Sequence, residues 1–115
     1  MSQLSRLVSL GLVLAGCATM PTQTVNGVAV YVRPAAEVAQ FCYGRVDAET
    51  RSQPHLYGCF ARNERIIMVE TGHPAVLAHE LRHARGEEHV GPCHSTEAKP
   101  DSVKPDGTPC QWYRR

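Results

Sequence analysis

Alternating apolar and polar residues early in the chain predict a strand over residues 25–32, which includes the run VAVYV. Pro34 follows and suits the first position of a helix, where its missing N–H costs nothing. The spacing of apolar residues then predicts a helix over Ala35–Cys42, with Val38 and Phe41 facing inward.

The middle of the chain predicts a hairpin and a longer helix. Two apolar runs, residues 56–61 and 65–70, flank a short polar segment, which is typical of two strands joined by a turn. Pro74 opens a helix that should run to about Arg85, whereas residues 44–54 are polar and predict a loop. We therefore predict an α+β fold, in which a short mixed sheet or hairpin packs on this second helix.

The second helix carries the segment HELRHARGEEH, residues 79–89. His79 and His83 lie about 40° apart on one face and one turn from each other, so both imidazoles can reach one metal ion. Glu80 lies about 100° from His79, beside this face. Its carboxylate is poorly placed as a ligand but well placed to act as a general base towards a metal-activated water.

Gly86 explains how a third histidine can join the site. In a continuous helix His89 would lie roughly 9 Å beyond His83 along the axis. Gly86 stands where a helix ends in a left-handed residue, which glycine adopts without penalty. The chain can then turn and return His89 to the ion. Three histidine nitrogens leave a fourth tetrahedral position open, which is typical of catalytic zinc sites.

This segment resembles the zinc-binding signature of the metzincin metallopeptidases, which His79, Glu80, His83, Gly86 and His89 match. The resemblance implies a small zincin-like domain, one Zn²⁺ ion held by the three histidines, and Glu80 as general base and acid. It also implies a peptide or protein substrate. Metzincins have a methionine-containing turn after the third histidine, whereas no methionine follows Met68 here.

Two other interpretations of the segment stay open. The histidines could be ordinary surface residues on an amphipathic helix, with His89 in a loop. Alternatively, the metal site is real but not catalytic, and the protein is a metal-binding envelope lipoprotein. Glu80 favours a zinc-dependent metallohydrolase, because a structural site needs no carboxylate beside its ligands.

The N-terminus resembles a bacterial lipoprotein signal. Arg6 precedes an apolar run that is too short to span a bilayer, and Leu-Ala-Gly then stands directly before Cys17. An ordinary secretory signal is the alternative. The resemblance implies that residues 1–16 are removed, that Cys17 is lipidated, and that residues 17–24 tether a single domain, residues 25–115, to a lipid membrane. Ala18, in place of an aspartate, favours the outer membrane facing the periplasm.

Cysteine content agrees with export. Besides Cys17, the chain has Cys42, Cys59, Cys93 and Cys110, an even number that suits disulfides in an oxidising compartment. Of the three possible pairings we favour Cys42–Cys59 with Cys93–Cys110, because both close local loops and the second would staple an irregular, proline-rich tail. The alternative is that Cys93 or His94 completes the zinc site.

Charge excludes one class of partner, and residue types suggest several further roles. The net charge is +1, with no basic stripe, so nucleic acid is not expected as a partner. Ile66–Glu70 is a candidate for pairing with an extended substrate, although it could equally be core sheet. Glu87 and Glu88 should be solvated turn residues. During hydrolysis the carbonyl oxygen of the substrate becomes negatively charged, and a side chain can help the metal to stabilise it. By residue type alone, the candidates are Tyr57, His73, His94 and Tyr113.

Overall fold

The computed structural model describes residues 20–115, so the predicted signal peptide (residues 1–16) and Cys17 lie outside the described residues. Across the described part of the chain, no helix combines the length and the apolar character that crossing a membrane requires.

The described residues form a small α+β fold with a mixed sheet, as predicted. In chain order, its elements are β1 (Gln23–Val25), β2 (Val28–Arg33), α1 (Ala35–Cys42), α2 (Ala48–Arg51), β3 (Gly58–Ala61), β4 (Ile66–Glu70), α3 (Pro74–Ala84), β5 (Glu87–His89) and β6 (Trp112–Arg114). The four-stranded sheet has the order β1-β2-β4-β3, in which only β2 and β4 are parallel neighbours. Strands β5 and β6 form a separate antiparallel pair.

Two apolar clusters hold the helices against opposite faces of the sheet. Val76 of α3 packs on one face with four side chains of β2 and β4, namely Val28, Val30, Ile67 and Val69. On the other face, Val38 and Cys42 of α1 pack with Leu56 and Cys59. The period-2 pattern of the strands fixes which side chains meet which helix. The sheet therefore supports α3, the helix that carries the predicted site.

The predictions for α1, the β3–β4 hairpin and α3 are confirmed. The strand predicted over residues 25–32 is confirmed for residues 28–32, but residues 26 and 27 form a turn between β1 and β2. Val38 is fully buried, as its place on the inner face of α1 requires. Pro74 is the first residue of α3, because its fixed φ suits the first turn and the missing N–H has no partner there in any helix.

The prediction that residues 17–24 form a tether is wrong at its C-terminal end. Residues 23 and 24 belong to β1, which joins β2 through a turn in which Asn26 and Gly27 have φ of 49° and 79°. Positive φ at both central residues gives the turn the twist of the flanking strands. The ordered segment extends further still, since the Thr22 N–H donates to Val30 O (2.8 Å) and Thr22 Oγ1 accepts from Val32 N (2.9 Å).

The predicted loop at residues 44–54 contains a single helical turn, α2. Asp47 begins this turn, because its carboxylate accepts a hydrogen bond from the backbone N–H of Thr50 at 2.8 Å. Such a short helix has no apolar period, so the composition of the segment gave no sign of it.

Both disulfide predictions are confirmed: Cys42 is bonded to Cys59 and Cys93 to Cys110. The first bond ties α1 to β3 within an apolar cluster. The second closes a loop in the tail, which is more ordered than predicted. Within it, His94 and Val103 exchange backbone hydrogen bonds of 2.9 and 2.8 Å. The chain then returns to pair β6 with β5.

Strand β4 cannot pair with a substrate, which corrects the prediction made for Ile66–Glu70. It lies between β2 and β3, so both of its backbone edges already have partners. Ile67 and Val69 are buried in the core, which is the structural role that the sequence left open. Within residues 20–115, the edge strands of this sheet are β1 and β3.

Candidate metal centre

Helix α3 brings His79, Glu80 and His83 to the same end of the molecule. His79 and Glu80 are each only 8 % exposed, and His83 is half-buried. Val76 holds the helix against the sheet one turn earlier. The helix can approach β3 closely because Gly58 faces Val76 and has no side chain. A Cβ at Gly58 would lie only 3.0 Å from Val76 Cγ1. The packing of α3 thus fixes the positions of the first two histidines.

Gly86 ends the helical segment as predicted. Its φ is 93°, a left-handed conformation that costs glycine little. The chain reverses into β5, which returns His89 towards the helix. The centroid of the His89 ring lies 5.3 Å from that of His79 and 4.9 Å from that of His83. The three predicted ligand residues therefore form one cluster, in which the His79 and His83 centroids are 5.0 Å apart.

The spacing of the ring nitrogens suits one small ion. His79 Nε2 and His83 Nε2 are 3.2 Å apart. Two nitrogens bound at roughly 2.0–2.1 Å to a tetrahedral zinc would lie about 3.4 Å from each other. In the absence of an ion, a proton on Nε2 of one ring could bridge the same two atoms as a hydrogen bond.

Backbone carbonyls fix the tautomers of two rings. His83 Nδ1 lies 3.0 Å from Glu87 O, and His89 Nδ1 lies 2.9 Å from Gly91 O. A carbonyl oxygen can only accept, so each Nδ1 must carry the proton and donate. The Nε2 atoms of the neutral rings are then left with free lone pairs, the form in which imidazole binds metals.

The buried partners of His79 are two serines from the tail. His79 Nδ1 lies 3.1 Å from Ser102 Oγ and 3.3 Å from Ser95 Oγ, and the two hydroxyls are 2.5 Å apart. The Cys93–Cys110 disulfide encloses both serines in one loop. Nothing in the sequence around Ser95 and Ser102 marked them as partners of a histidine.

Trp112 contacts all three histidines. Its ring centroid lies 5.1 Å from that of His79, 5.2 Å from that of His83 and 4.9 Å from that of His89. The Arg82 guanidinium lies 4.3 Å from the same indole, which places a cation over its ring. β6 places the indole here, because Trp112 pairs with His89 in the β5–β6 ladder.

A sulfur atom also lies beside the histidines. Donor atoms of His79, His89 and Cys93 are all within 4.8 Å of one another, so this group could hold a metal ion. Cys93 is bonded to Cys110, however, and a disulfide sulfur is not the thiolate that binds metals. In the disulfide-bonded protein, the available donors of this group are therefore the histidine nitrogens.

The histidines and Glu80 line one cavity of about 670 Å³. Burial raises the pKa of Glu80 to about 8, and the nearby Glu88 carboxylate adds to this effect. Burial also lowers the pKa of His79 to about 3, helped by the charges of His83 and His89. Burial, together with the charge of His89, lowers the pKa of His83 as well. The lowered pKa values thus favour neutral imidazoles at His79 and His83, the protonation state that coordination requires.

Two of the four residues suggested as assisting the metal at the oxyanion line this cavity. Tyr57 and His94 line it, whereas His73 and Tyr113 are not among its lining residues. The Tyr57 ring packs against His73, with centroids 4.7 Å apart. Tyr113 is 52 % exposed on β6.

The prediction that Glu87 and Glu88 are solvated turn residues is wrong. Both belong to β5 and are half-buried. The Glu87 carboxylate pairs with Arg82 at 3.0 Å. The backbone carbonyl of Glu87 accepts the hydrogen bond that orients His83. Glu88 lies 3.5 Å from His83 Nδ1 and also contacts Arg62. Pairing with β6, which a local pattern cannot reveal, turns this segment into a strand.

The chain matches no protein-family model, and comparisons with curated proteins and with solved structures found no match.

Proposed function

We propose that the protein is a zinc-dependent metallohydrolase, most simply a metzincin-like peptidase, with one ion held by His79, His83 and His89. The observation that carries this proposal is the 3.2 Å spacing of the His79 and His83 Nε2 atoms, with Nδ1 of each ring engaged elsewhere. His89 has the same arrangement, since its Nδ1 donates to a carbonyl. Such partners orient imidazole ligands and make them more basic.

A zinc ion bound here would acidify water in its open position and polarise a substrate carbonyl. Glu80 supplies the proton transfer in this proposal. It lines the same cavity as the histidines and adjoins His79 on α3, so its carboxylate is placed to exchange a proton with a water in that cavity. Glu80 would take a proton from the attacking water and return it to the leaving amine.

We propose that strand β3 takes the part in substrate binding that the sequence suggested for β4. The Glu70 N–H donates to Tyr57 O at 2.9 Å, so by alternation Cys59 and Ala61 also direct their backbone groups at β4. The backbone groups of Gly58 and Phe60 then face away from the sheet. Gly58, Cys59 and Phe60 line the cavity. An extended peptide could therefore add to this edge beside Glu80.

For the cellular setting, we propose a lipoprotein of the bacterial envelope, anchored through Cys17 in the outer membrane and facing the periplasm. The two disulfides agree with an oxidising compartment. The substrate would then be a peptide or protein in that compartment.

The test of activity is hydrolysis of a mixed peptide library by the purified protein. We expect cleavage products that disappear after treatment with a chelator and return when one equivalent of zinc is added. Cleavage that persists in the chelated protein would contradict a metal-dependent mechanism.

Trp112→Ala should weaken zinc binding about 10- to 100-fold, the usual cost of removing a group that supports metal ligands. The indole contacts all three imidazoles, and its loss leaves their rings free to reorient. A competition titration with a chromogenic chelator measures the affinity. Tyr113→Ala, an exposed change on the same strand, is the matched control and should bind zinc normally. Equal affinities in the two variants would show that the indole does not support the site.

A further inference from the structure

The position of the tail disulfide relative to the metal centre suggests a second state of the site. Cys93 is 8 % exposed and lines the histidine cavity, whereas Cys110 is not among the lining residues. Donor atoms of His79, His89 and Cys93 all lie within 4.8 Å of one another. A thiolate and an imidazole bound to one tetrahedral zinc lie about 3.6 Å apart, so a small rotation of the Cys93 side chain would bring its sulfur into range.

We propose that Cys93 is a latent fourth metal ligand, which becomes available when its disulfide with Cys110 is reduced. This inference rests on the proposed function, because it assumes that the three histidines hold the ion in the oxidised protein. In that state the fourth position is open. In the reduced state the Cys93 thiolate fills it and closes the site to substrate.

The reductant in this step is a dithiol. Its two sulfurs form a disulfide and give up two electrons, the Cys93–Cys110 bond breaks, and each cysteine sulfur gains one proton. When the Cys93 sulfur then binds the ion, its proton passes to solvent and the water in the fourth position leaves. The reverse exchange with an oxidised dithiol restores the open site.

Two features of the fold favour reduction of the Cys93–Cys110 disulfide before the Cys42–Cys59 disulfide. The Cys42–Cys59 bond is buried in an apolar cluster, with those residues 0 % and 3 % exposed, whereas Cys110 is half-buried and therefore easier to reach. Hydrogen bonds also hold the loop without the disulfide, since His94 and Val103 are paired in both directions and Cys110 N donates to Ser102 O at 3.1 Å. Cys93 should thus stay beside the histidines after reduction.

The experiment compares Co²⁺ spectra of the purified parent chain with those of two matched variants. Cys110→Ser frees the Cys93 thiol, and Cys93→Ser frees the Cys110 thiol, while both lose the same disulfide. A sulfur-to-cobalt charge-transfer band in the near ultraviolet reports a thiolate ligand. We expect this band in Cys110→Ser, together with tighter Co²⁺ binding than in Cys93→Ser, and its absence from Cys93→Ser and from the oxidised parent.

Titrating the cobalt-loaded parent with a dithiol provides a second route that needs no substitution. The band should appear on reduction and vanish on reoxidation. If Co²⁺ binds but the band is absent from both Cys110→Ser and the reduced parent, or if Cys93→Ser also shows it, Cys93 is not the latent ligand. The proposed function survives those results. The proposed function fails if the oxidised parent binds no Co²⁺. A band in Cys110→Ser would in that case still support Cys93 as a metal ligand.

Discussion

Glu80→Gln should leave zinc binding intact and lower the rate of peptide hydrolysis by about 10²–10⁴-fold, the range typical of a lost general base. Glutamine has nearly the same shape as glutamate but cannot accept the proton from water. Its neutral side chain also suits this buried position, where Glu80 is only 8 % exposed. The loss should fall on the rate of the chemical step more than on substrate affinity.

Two measurements on each variant separate this result from a general loss of structure: zinc content by elemental analysis and turnover of the same peptide. Glu64→Gln is the matched control, because Glu64 pairs with Arg45 on the exposed side of the β3–β4 hairpin. It should bind zinc and turn over like the parent. Unchanged turnover in Glu80→Gln would rule out Glu80 as the base, and loss of zinc would make its role structural.

The metal-free protein should be most stable between about pH 4.5 and 6.5 and should lose stability on both sides. In the folded state the pKa of Glu80 is raised to about 8, so this state keeps a proton that the unfolded chain releases above its ordinary pKa of 4.5. The contribution of Glu80 to the free energy of unfolding therefore falls as the pH rises from 4.5 to 8. The pKa of His79 is lowered to about 3, so the unfolded chain takes up a proton below pH 6.5 that the folded state refuses. The contribution of His79 therefore falls as the pH drops from 6.5 to 3, and between pH 4.5 and 6.5 the two changes offset each other.

Each group's contribution changes by at most about 5 kcal/mol over its full range, because one pKa unit corresponds to about 1.4 kcal/mol, and the net loss from pH 6.5 to pH 8 is about 2 kcal/mol. Urea unfolding of the chelated protein at pH 5 and pH 8 measures the alkaline limb. Glu80→Gln removes the carboxyl group responsible, so the variant should be several kcal/mol more stable than the parent at pH 8 and similar to it at pH 5. A Glu80→Gln variant that is no more stable than the parent at pH 8 would contradict the burial argument for Glu80.

Local patterns predicted those parts of the fold whose causes are local. The apolar spacing in Ala35–Cys42, Pro74 at the start of α3 and the positive φ of Gly86 each follow from a few neighbouring residues. The two disulfides were predicted because each closes a short loop. The cluster of His79, His83 and His89 follows from the same reasoning, since helical spacing and one turn suffice to bring the rings together.

The parts that were missed depend on contacts between distant segments. Glu87–His89 becomes a strand only because the chain end returns to pair with it, and this pairing also brings Trp112 against the histidines. Ser102 contacts His79 from the loop closed by the tail disulfide. Such an irregular loop has no repeating hydrophobic pattern from which this contact could be predicted. The place of β4 at the centre of the sheet follows from its parallel pairing with β2 across α1. A pattern within one segment does not encode such partners.

Zinc content of the purified protein tests the central claim most directly, measured beside His83→Ala and His55→Ala. His55 lines the same cavity but pairs with Glu70 at 2.6 Å, which makes it a matched control. We expect one equivalent of zinc in the parent and in His55→Ala, and a large loss in His83→Ala. A folded parent that binds no zinc even when the ion is supplied, or a His83→Ala variant that keeps its full equivalent, would contradict a metal centre built on these three histidines.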